Sequence, residues 1–202
     1  MDKAELRKRL RQQRQDLDQQ ELESHSASIC QRLRLNPWIK AAHHIALYMP
    51  NDGEPDVTDL VYQMAARNRS FYLACLDNFD RGHMIFRRWR PGDGLATNKF
   101  GIPEPRKGKI MPTWALSVVL MPLVAFDKDC NRVGMGAGYY DKTLYIRRGN
   151  IRLLPHLMGI AHDFQEVPQL EPAPWDVSLD MVITEKRTIC PEKSEPTEEE
   201  TS

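Results

Sequence analysis

The sequence predicts an α/β fold: a single domain of three α/β/α layers with a mostly parallel, Rossmann-like sheet in the middle. Segments with helical spacing of apolar residues alternate with short apolar segments typical of strands. A glycine loop, residues 131–141, follows an apolar segment and precedes a helical one, an order that can direct backbone N–H groups towards an anion. The length of 202 residues suits one domain with a sizeable core.

The elements follow one another as alternating helices and strands. Residues 3–34 carry leucine and isoleucine at helical intervals among charged residues, which predicts two helices with a break near residues 16–20. The segment 45–49 predicts a short strand, and the spacing within 57–69 predicts a helix. Further strands are expected at residues 71–75, 84–89, 157–161 and 181–184.

The rest of the chain completes the domain. A long stretch containing proline and glycine, 91–113, precedes one buried strand expected at 118–126, and a helix start is expected at 140–146 after the glycine loop. Sheets of this kind bind ligands at the carboxyl ends of their strands, so we expect the loop-borne motifs to meet there. The acidic residues 191–202 predict a disordered tail after a domain of residues 1–190.

Charge and cysteine content exclude several functional classes. Lys plus Arg and Asp plus Glu both number 28, so no general basic field indicates a nucleic-acid partner. The first residues are polar and no run of about 18 apolar residues occurs, so we expect neither export nor a membrane partner. The scattered cysteines lack metal or disulfide spacing and favour a cytoplasmic protein: Cys30, Cys75, Cys130 and Cys190.

The glycine loop contains three alternate glycines, Gly134, Gly136 and Gly138, after Arg132. It is neither a P-loop, which ends in Gly-Lys-Ser/Thr, nor the dinucleotide-binding pattern, which has a two-residue gap. Backbone N–H groups and the arginine could hold a polyphosphate, although glycines also serve turns and close packing. The residues alone leave both interpretations open.

Four motifs in order resemble the 5-formyltetrahydrofolate cyclo-ligase family, also called methenyltetrahydrofolate synthetase, over nearly the whole chain. Within the glycine-loop region, residues 126–128 and 131–134 lead to Gly138-Tyr139-Tyr140-Asp141. The others are Lys3-Ala4-Glu5-Leu6-Arg7, Phe100-Gly101-Ile102-Pro103-Glu104-Pro105, and residues 159–165 followed by Trp175-Asp176-Val177. The chain is therefore identified as resembling that family.

The resemblance implies an ATP- and Mg²⁺-dependent ligase of folate and one-carbon metabolism, which we expect to be monomeric. A formyl amide is a poor electrophile, but transfer of the ATP γ-phosphoryl group to its oxygen lets N10 close the methenyl ring and phosphate leave. One alternative is a non-catalytic folate- or nucleotide-binding relative with a regulatory role, because Met135 and Ala137 stand where the family often has cations. Another is ligase chemistry on a different folate.

The resemblance also assigns the ATP site and the catalytic residues. Arg132, Tyr139 and Tyr140 would act in catalysis. The spacing of Lys3 and Arg7 places both on one helix face, where they would reach ATP, or would otherwise form a solvated surface. The expected nucleotide-binding set is Lys3, Arg7, Arg132, Gly134, Met135, Gly136, Ala137, Gly138, Tyr139 and Tyr140.

Asp141 and Asp176 are the expected Mg²⁺ ligands by resemblance. Their structural alternatives are a helix cap for Asp141 and a turn for Asp176, while Asp180 is a weaker third candidate. The folate site would need a carboxylate and an aromatic slot, although both tyrosines could instead pack under the loop. The expected folate-binding set is Met49, Glu54, Phe100, Tyr139 and Tyr140.

Three other features favour plainer roles. The pair His43-His44 lacks partners at metal-ligand spacing, which disfavours a metal site. His162 lies inside the C-terminal motif and could be near the site. The run Arg87-Arg88-Trp89-Arg90 mixes cations with an aromatic residue, but in a neutral protein it is typical of a solvated strand edge.

Overall fold

A large sheet with parallel central strands organises the molecule, whose computed structural model describes residues 2–64, 68–77, 82–145 and 155–191. The helices are α1 (Lys3–Gln15), α2 (Gln19–Leu35), α3 (Pro37–Ala41), α4 (Asp59–Met64) and α5 (Tyr139–Thr143). The first strands are β1 (His44–Leu47), β2 (Ser70–Leu76), β3 (Met84–Trp89), β4 (Leu95–Thr97), β5 (Pro103–Pro105) and β6 (Ile110–Met111). The remaining strands are β7 (Val118–Pro122), β8 (Ala125–Phe126), β9 (Arg132–Val133), β10 (His156–Ile160), β11 (Met181–Ile183) and β12 (Thr188–Ile189).

The order of the strands places a ligand crevice. Within the described residues the large sheet reads β12-β11-β10-β7-β1-β2-β3-β6, parallel from β11 to β2 and antiparallel at both ends. This order confirms the predicted α/β fold with a mostly parallel sheet. The chain goes from β1 to β2 on one side and later to β7 on the other, so a topological switch point lies between β1 and β7.

The two faces of the sheet are covered differently. Ile45 and Leu47 of β1 face one side, where they join the apolar residues of α2, α3 and α4. Ala46 lies between them and faces the other side, as the pleat of a strand requires. There, the described part of the chain covers the sheet with the β8–β9 hairpin, Leu144 after α5 and the segment before β11.

The predicted break between the first two helices is confirmed. Asp18 caps α2, accepting a hydrogen bond from the Glu21 amide at 2.8 Å, and the Glu21 side chain accepts one from the Asp18 amide. This reciprocal capping box starts a new helix after α1 ends at Gln15. The strands expected at 45–49, 71–75, 84–89, 157–161 and 181–184 are also present as β1, β2, β3, β10 and β11.

The single strand predicted at 118–126 is wrong, because the chain leaves the large sheet after Pro122. Ala125 and Phe126 instead pair antiparallel with Val133 and Arg132, forming the β8–β9 hairpin. The buried Asp127 carboxylate closes this hairpin by accepting hydrogen bonds from backbone amides, including Asn131 at 2.9 Å. The glycines therefore follow a hairpin strand rather than a strand of the large sheet.

Other differences lie in the loops. The stretch 91–113 contains the β4–β5 hairpin and β6 rather than loop alone. Of the helix expected at 57–69, the structure has α4, while residues 65–67 lie outside the described part of the chain. Most of the predicted acidic tail, residues 192–202, also lies outside it. None of the described helices is long and apolar enough to cross a membrane.

Candidate active site

A buried arginine fixes the loop after β1. Arg14 of α1 is 1% exposed, and it donates hydrogen bonds to the Asp52 carbonyl at 2.6 Å and to Asp52 Oδ2 at 2.7 Å. Its Nη1 also donates to the Leu123 carbonyl at 3.4 Å, just after β7. Arg14 thus connects α1 to both sides of the switch point. The sequence analysis did not identify Arg14 as a site residue.

Glu54 is a buried carboxylate in the same loop, 8% exposed. Its Oε1 lies 3.7 Å from Arg14 Nη1, and its Oε2 accepts a hydrogen bond from the Asn51 amide at 3.2 Å. Burial raises the pKa of Glu54 to about 7, although the charge of Arg14 opposes the rise. We call residues 51–54 the Glu54 loop.

Asp52, two residues away, behaves in the opposite way. Burial disfavours its ionised form, but hydrogen bonds from Arg11, Gln15 and Arg14 together lower its pKa to about 2. The Glu54 loop therefore combines one permanently charged carboxylate with one that titrates near neutral pH. It borders a cavity of about 720 Å³ beside α2.

A buried histidine supports this loop from behind. His162 is fully buried, and its Nε2 lies 3.0 Å from the Gly53 carbonyl, which it can reach only as a donor. Its Nδ1 lies 3.0 Å from Nδ1 of His25. Burial lowers the pKa of His162 to about 4, so the ring is neutral near pH 7. We expected that His162 could lie near the site. In the structure it contacts the backbone of the Glu54 loop, which is a structural role.

The glycine loop brings Arg132 and Asp141 together as an ion pair. Asp141 Oδ1 accepts hydrogen bonds from Arg132 Nη2 and from the Val177 amide, the latter at 3.2 Å. Among the described residues, buried Nε of Arg132 has no hydrogen-bond partner. An unsatisfied buried donor of a cation is suited to an anionic ligand.

Tyr140 connects this loop with the Glu54 loop. Burial raises its pKa above the usual value, the charge of Glu54 raises it further, and the charge of Arg132 opposes the rise. Tyr140 is thus within electrostatic reach of both groups. Its ring also packs at the edge of the core, so the expected packing role and the site position occur together.

Helix α1 also reaches the glycine loop. Arg7 Nε donates a hydrogen bond to the Gly134 carbonyl at 2.8 Å. A Cβ at Gly136, where φ is +102°, would lie 3.7 Å from the Arg7 guanidinium, so the glycine allows close approach. The neighbouring Met135 and Ala137 are exposed.

The helix after the glycine loop, α5, contributes less to anion binding than the sequence pattern indicated. Gly138, with φ of +68°, is the N-cap of α5, which has only five residues. A single turn carries little of a macrodipole, so the anion-binding capacity here rests on the loop amides and the arginines. Asp141 lies in the first turn and is not the cap.

The two aspartates expected to bind Mg²⁺ come from adjoining segments, because Asp141 accepts a hydrogen bond from the residue after Asp176. Asp176 Oδ2 accepts from the Ala173 amide at 2.8 Å, closing a turn, and lies 3.7 Å from Lys3 Nζ. Within the described part of the chain, no hydrogen bond occupies Asp141 Oδ2 or Asp176 Oδ1. Two carboxylates with a spare oxygen each fit a hard divalent cation.

The aromatic residues expected for the folate are partly assembled. Phe100 and Tyr139 meet edge to face with their ring centroids 6.0 Å apart, and Phe100 is 50% exposed. The Nζ of Lys99 lies 5.0 Å from the Phe100 ring centroid. Met49 is partly buried and packs against the core beneath the helices. The slot is therefore open on the Phe100 side.

Two features of the sequence lie away from this site. His43 and His44 are at the amino end of β1, the edge of the sheet opposite the Glu54 loop. Asp180 directly precedes β11 and accepts a hydrogen bond from the Leu157 amide at 2.7 Å, also at the amino edge. The third Mg²⁺ candidate is thus structural.

Comparison with known proteins gives a consistent result. A sequence model described as the 5-formyltetrahydrofolate cyclo-ligase family matches residues 1–185. The 5-formyltetrahydrofolate cyclo-ligase of Escherichia coli (strain K12) is 33% identical over 177 residues, 87% of this chain and 96% of the relative. That of Haemophilus influenzae is 37% identical over 142 residues, 69% and 74% of the two chains.

Solved structures show the same fold. The 5,10-methenyltetrahydrofolate synthetase of Aquifex aeolicus matches with a TM-score of 0.81 and 28% identity, covering 100% of both chains. The 5,10-methenyltetrahydrofolate synthetase of Mycoplasma pneumoniae matches with a TM-score of 0.73 and 27% identity, covering 92% of this chain and 99% of the other.

Proposed function

Because this chain belongs to the 5-formyltetrahydrofolate cyclo-ligase family, we propose that it converts 5-formyltetrahydrofolate and ATP into 5,10-methenyltetrahydrofolate, ADP and phosphate. The observation that carries the proposal is that α1 contacts both loops: Arg7 donates to the Gly134 carbonyl at 2.8 Å, and Arg14 donates to the Asp52 carbonyl at 2.6 Å. The expected phosphate cation, Arg132, and the expected folate carboxylate, Glu54, thus belong to two loops held by one helix. This arrangement suits a reaction between two bound ligands.

The chemistry requires an activated formyl oxygen. The γ-phosphoryl group moves to that oxygen as its bond to the ADP oxygen breaks, and N10 then attacks the formyl carbon. The new C–N bond closes the ring, the C–O bond breaks to release phosphate, and N10 loses its proton. The protein must hold the polyphosphate and formyl group together with little water between them.

Arg132 is the residue we assign to the transferring phosphoryl group. Its side chain is 4% exposed, so its charge is poorly screened, and its Nε has no partner among the described residues. Arg7 and the amides of the glycine loop would hold the rest of the polyphosphate, together with Lys3. Asp141 keeps Arg132 in place.

Glu54 would bind N–H donors of the pterin, and Tyr139 and Tyr140 would position the formyl group. A buried carboxylate with a pKa near 7 accepts such hydrogen bonds when ionised and donates one when protonated. Phe100 and Met49 would border the bound ring. The Phe100–Tyr139 contact supplies an aromatic edge for it.

Asp141 and Asp176 would hold Mg²⁺, each through the oxygen that has no hydrogen bond among the described residues. The ion would neutralise part of the polyphosphate charge. Both aspartates already contact cations, Arg132 and Lys3, so the pairs bring opposite charges to one end of the ATP site.

Met135 and Ala137 stand where the family often has cations, but two other cationic side chains lie close to the glycine loop. Arg7 lies against Gly136, and a Cβ at Gly138 would lie 3.8 Å from Lys142 Cε. These side chains supply positive charge at the positions flanking Met135 and Ala137. This supports catalysis over a role in binding alone.

We also propose a cytoplasmic monomer. The described cysteines are free thiols, which suits a reducing compartment.

The test is the near-ultraviolet absorbance rise of methenyltetrahydrofolate when purified protein meets 5-formyltetrahydrofolate, ATP and Mg²⁺. We expect a rise only when all three are present. A rise without ATP would contradict phosphoryl activation, and tight binding of either ligand without any rise would indicate a non-catalytic relative. Omission of Mg²⁺, with EDTA as a control, tests the metal separately.

A further inference from the structure

We propose that His25, His162 and Glu185 form a binding site for a divalent transition-metal ion of the Zn²⁺ class, made of residues other than the expected Mg²⁺ ligands. A nitrogen of each histidine and a carboxylate oxygen of Glu185 all lie within 4.8 Å of one another. Two histidines and one glutamate are a ligand set that Zn²⁺ uses in proteins, with water in a fourth position. This inference does not depend on the proposed catalytic activity.

The sheet brings two of the three ligands together. Strands β10 and β11 are parallel neighbours, and Ile160 lies opposite Ile183. His162 and Glu185 each follow two residues later, so both stand at the carboxyl ends of adjacent strands. The third ligand, His25, belongs to α2, whose apolar residues pack on these strands. Three segments that are distant in sequence therefore meet at one point.

The ring of His162 is held in an orientation and tautomer suited to a metal. Its Nε2 donates to the Gly53 carbonyl at 3.0 Å, so in the neutral ring Nδ1 carries a lone pair, and this atom faces His25. The Phe164 ring stacks on it with the centroids 5.3 Å apart. Ligating histidines commonly donate their second nitrogen to a carbonyl in this way. Because burial lowers the pKa of His162 to about 4, the ring need not lose a proton to bind metal at pH 7.

The distance between the two imidazoles suits a shared ion. Nδ1 of His162 and Nδ1 of His25 lie 3.0 Å apart. Nitrogens about 2.0–2.1 Å from a tetrahedral Zn²⁺ ion are about 3.3 Å apart, so a slight separation of the two rings would admit the ion. Without a metal, His25 must donate from Nδ1 to the lone pair of His162. The metal would take the place of that proton.

Glu185 supplies a negative charge with an oxygen to spare. Its side chain is 8% exposed, and its Oε2 accepts a hydrogen bond from the Asp163 amide at 2.9 Å. Its Oε1 lies 4.0 Å from Nε2 of His25 and accepts no hydrogen bond among the described residues. A modest rotation would bring Oε1 to the ion. The His25 side chain is 24% exposed, which leaves a path from solvent.

The neighbouring cations do not neutralise Glu185. Lys186 and Arg187 follow it directly, but both pair with Asp163, at 3.7 and 2.9 Å. Among the described residues, the only basic side chain within 4.0 Å of the Glu185 carboxylate is His25. A carboxylate with little exposure needs a positive partner, and a divalent ion between Glu185 and the histidines would provide one.

A bound ion would link α2 to the ends of β10 and β11. Through the His162 contact with the Gly53 carbonyl, the link would extend to the Glu54 loop. An ion that binds the folded state alone stabilises it, so the first expected consequence is a higher unfolding temperature.

The experiment is a calorimetric titration of EDTA-treated, dialysed protein with Zn²⁺ in excess Mg²⁺, which occupies sites made of oxygen ligands but competes poorly for imidazole. We expect one Zn²⁺ per chain. His25→Ala should weaken binding at least about a hundredfold, because a direct ligand is lost. His43→Ala is the matched control, an exposed histidine at the opposite edge of the sheet, and should bind as the wild type does.

Two further variants test the other groups. Glu185→Gln keeps an oxygen for the Asp163 amide but loses the charge, so it should bind Zn²⁺ about tenfold more weakly or worse. Cys190→Ser removes the exposed thiol and should leave the affinity unchanged. Zn²⁺ should raise the unfolding temperature of the wild type but not that of His25→Ala.

The visible absorption of added Co²⁺ reports the ligands independently, and its intensity should fall in His25→Ala. Absence of Zn²⁺ and Co²⁺ binding, or equal affinities of the wild type and His25→Ala, would overturn the proposal. So would loss of binding in Asp141→Asn with retention in His25→Ala, because the ion would then occupy the expected Mg²⁺ site. Since none of these measurements uses turnover, an inactive wild type would overturn the proposed function alone.

Discussion

The Glu54 loop and the glycine loop manage charge in opposite ways. Around the Glu54 loop, the buried Arg14 is bonded to Asp52, whose side chain is 10% exposed. At the glycine loop, Met135, Gly136 and Ala137 are exposed, and Arg132 keeps a buried donor without a partner among the described residues. The Arg14–Asp52 ion pair is complete without a ligand, whereas the glycine loop has capacity left for an anion. Changes in the first should therefore affect stability, and changes in the second should affect turnover.

The largest expected effect is on turnover. Arg132→Gln should lower kcat about a thousandfold, because phosphoryl transfer depends on a positioned cation. The absorbance assay measures it, and thermal unfolding checks that the variant folds. Arg9→Gln, a change at an exposed position of α1, is the control and should retain full activity.

Tyr140→Phe combined with Arg132→Gln sharpens the same assignment. A fully active double variant would contradict the placement of the reaction between Glu54 and the glycine loop.

The next effect concerns stability in the other region. Arg14→Met should lower the free energy of unfolding by about 3–5 kcal/mol, because Asp52 and Glu54 lose a buried counter-charge. Arg11→Met is the matched control: Arg11 contacts the same Asp52 Oδ2 at 2.8 Å but is 42% exposed. Its loss should cost about 1 kcal/mol or less. Urea unfolding of both variants makes the comparison, and equal losses would contradict it.

Glu54 should make stability depend on pH. Its folded-state pKa of about 7 lies above the ordinary value of 4.5, so the folded state binds the proton more tightly. Its contribution to stability is therefore complete below about pH 4.5 and lost as pH rises through 7. Between pH 5 and 8, Glu54→Gln should gain about 3 kcal/mol relative to the wild type. Asp52, with a pKa of about 2, stays charged throughout this range.

Urea unfolding at several pH values checks this slope. A wild type and Glu54→Gln variant with parallel pH profiles would show that Glu54 is ionised in the folded protein at pH 5.

The smallest expected effect comes from the left-handed backbone conformation of the glycine loop. Gly136→Ala forces a side chain into a left-handed conformation with φ of +102°, which should cost about 1 kcal/mol and raise the KM for ATP. Gly94→Ala is the control, because Gly94 has no positive φ and a Cβ there meets open space. The two variants should differ in the KM for ATP more than in thermal stability.

Local patterns predicted most of the elements because burial of alternating or helically spaced residues determines them. The prediction of one strand at 118–126 failed because apolar residues such as Ala125 and Phe126 fit equally well in a strand of the large sheet and in a buried hairpin. Pro122 was the available signal, because proline cannot donate to a central ladder. Its position at the end of β7 marks where the chain leaves the sheet.

Arg14 was missed because it lies in a run of charged residues, yet a signal was present. Leu6, Leu10 and Arg14 are spaced by four, so they share one helix face, and all three are buried. A charge on an apolar face needs a buried partner. That partner, Asp52, is 38 residues away along the chain, and only the fold brings them together.

Helix α1 sets the spacing between the two loops. Arg7 and Arg14 are seven residues apart, two turns of helix, so they point the same way at an axial separation of ~10 Å. One holds the glycine loop and the other holds the Glu54 loop. The length and phase of the helix thus fix the distance between the two loops. Inserting a single residue between the arginines would rotate one of them away by about 100°, and one loop would lose its hydrogen bond to α1.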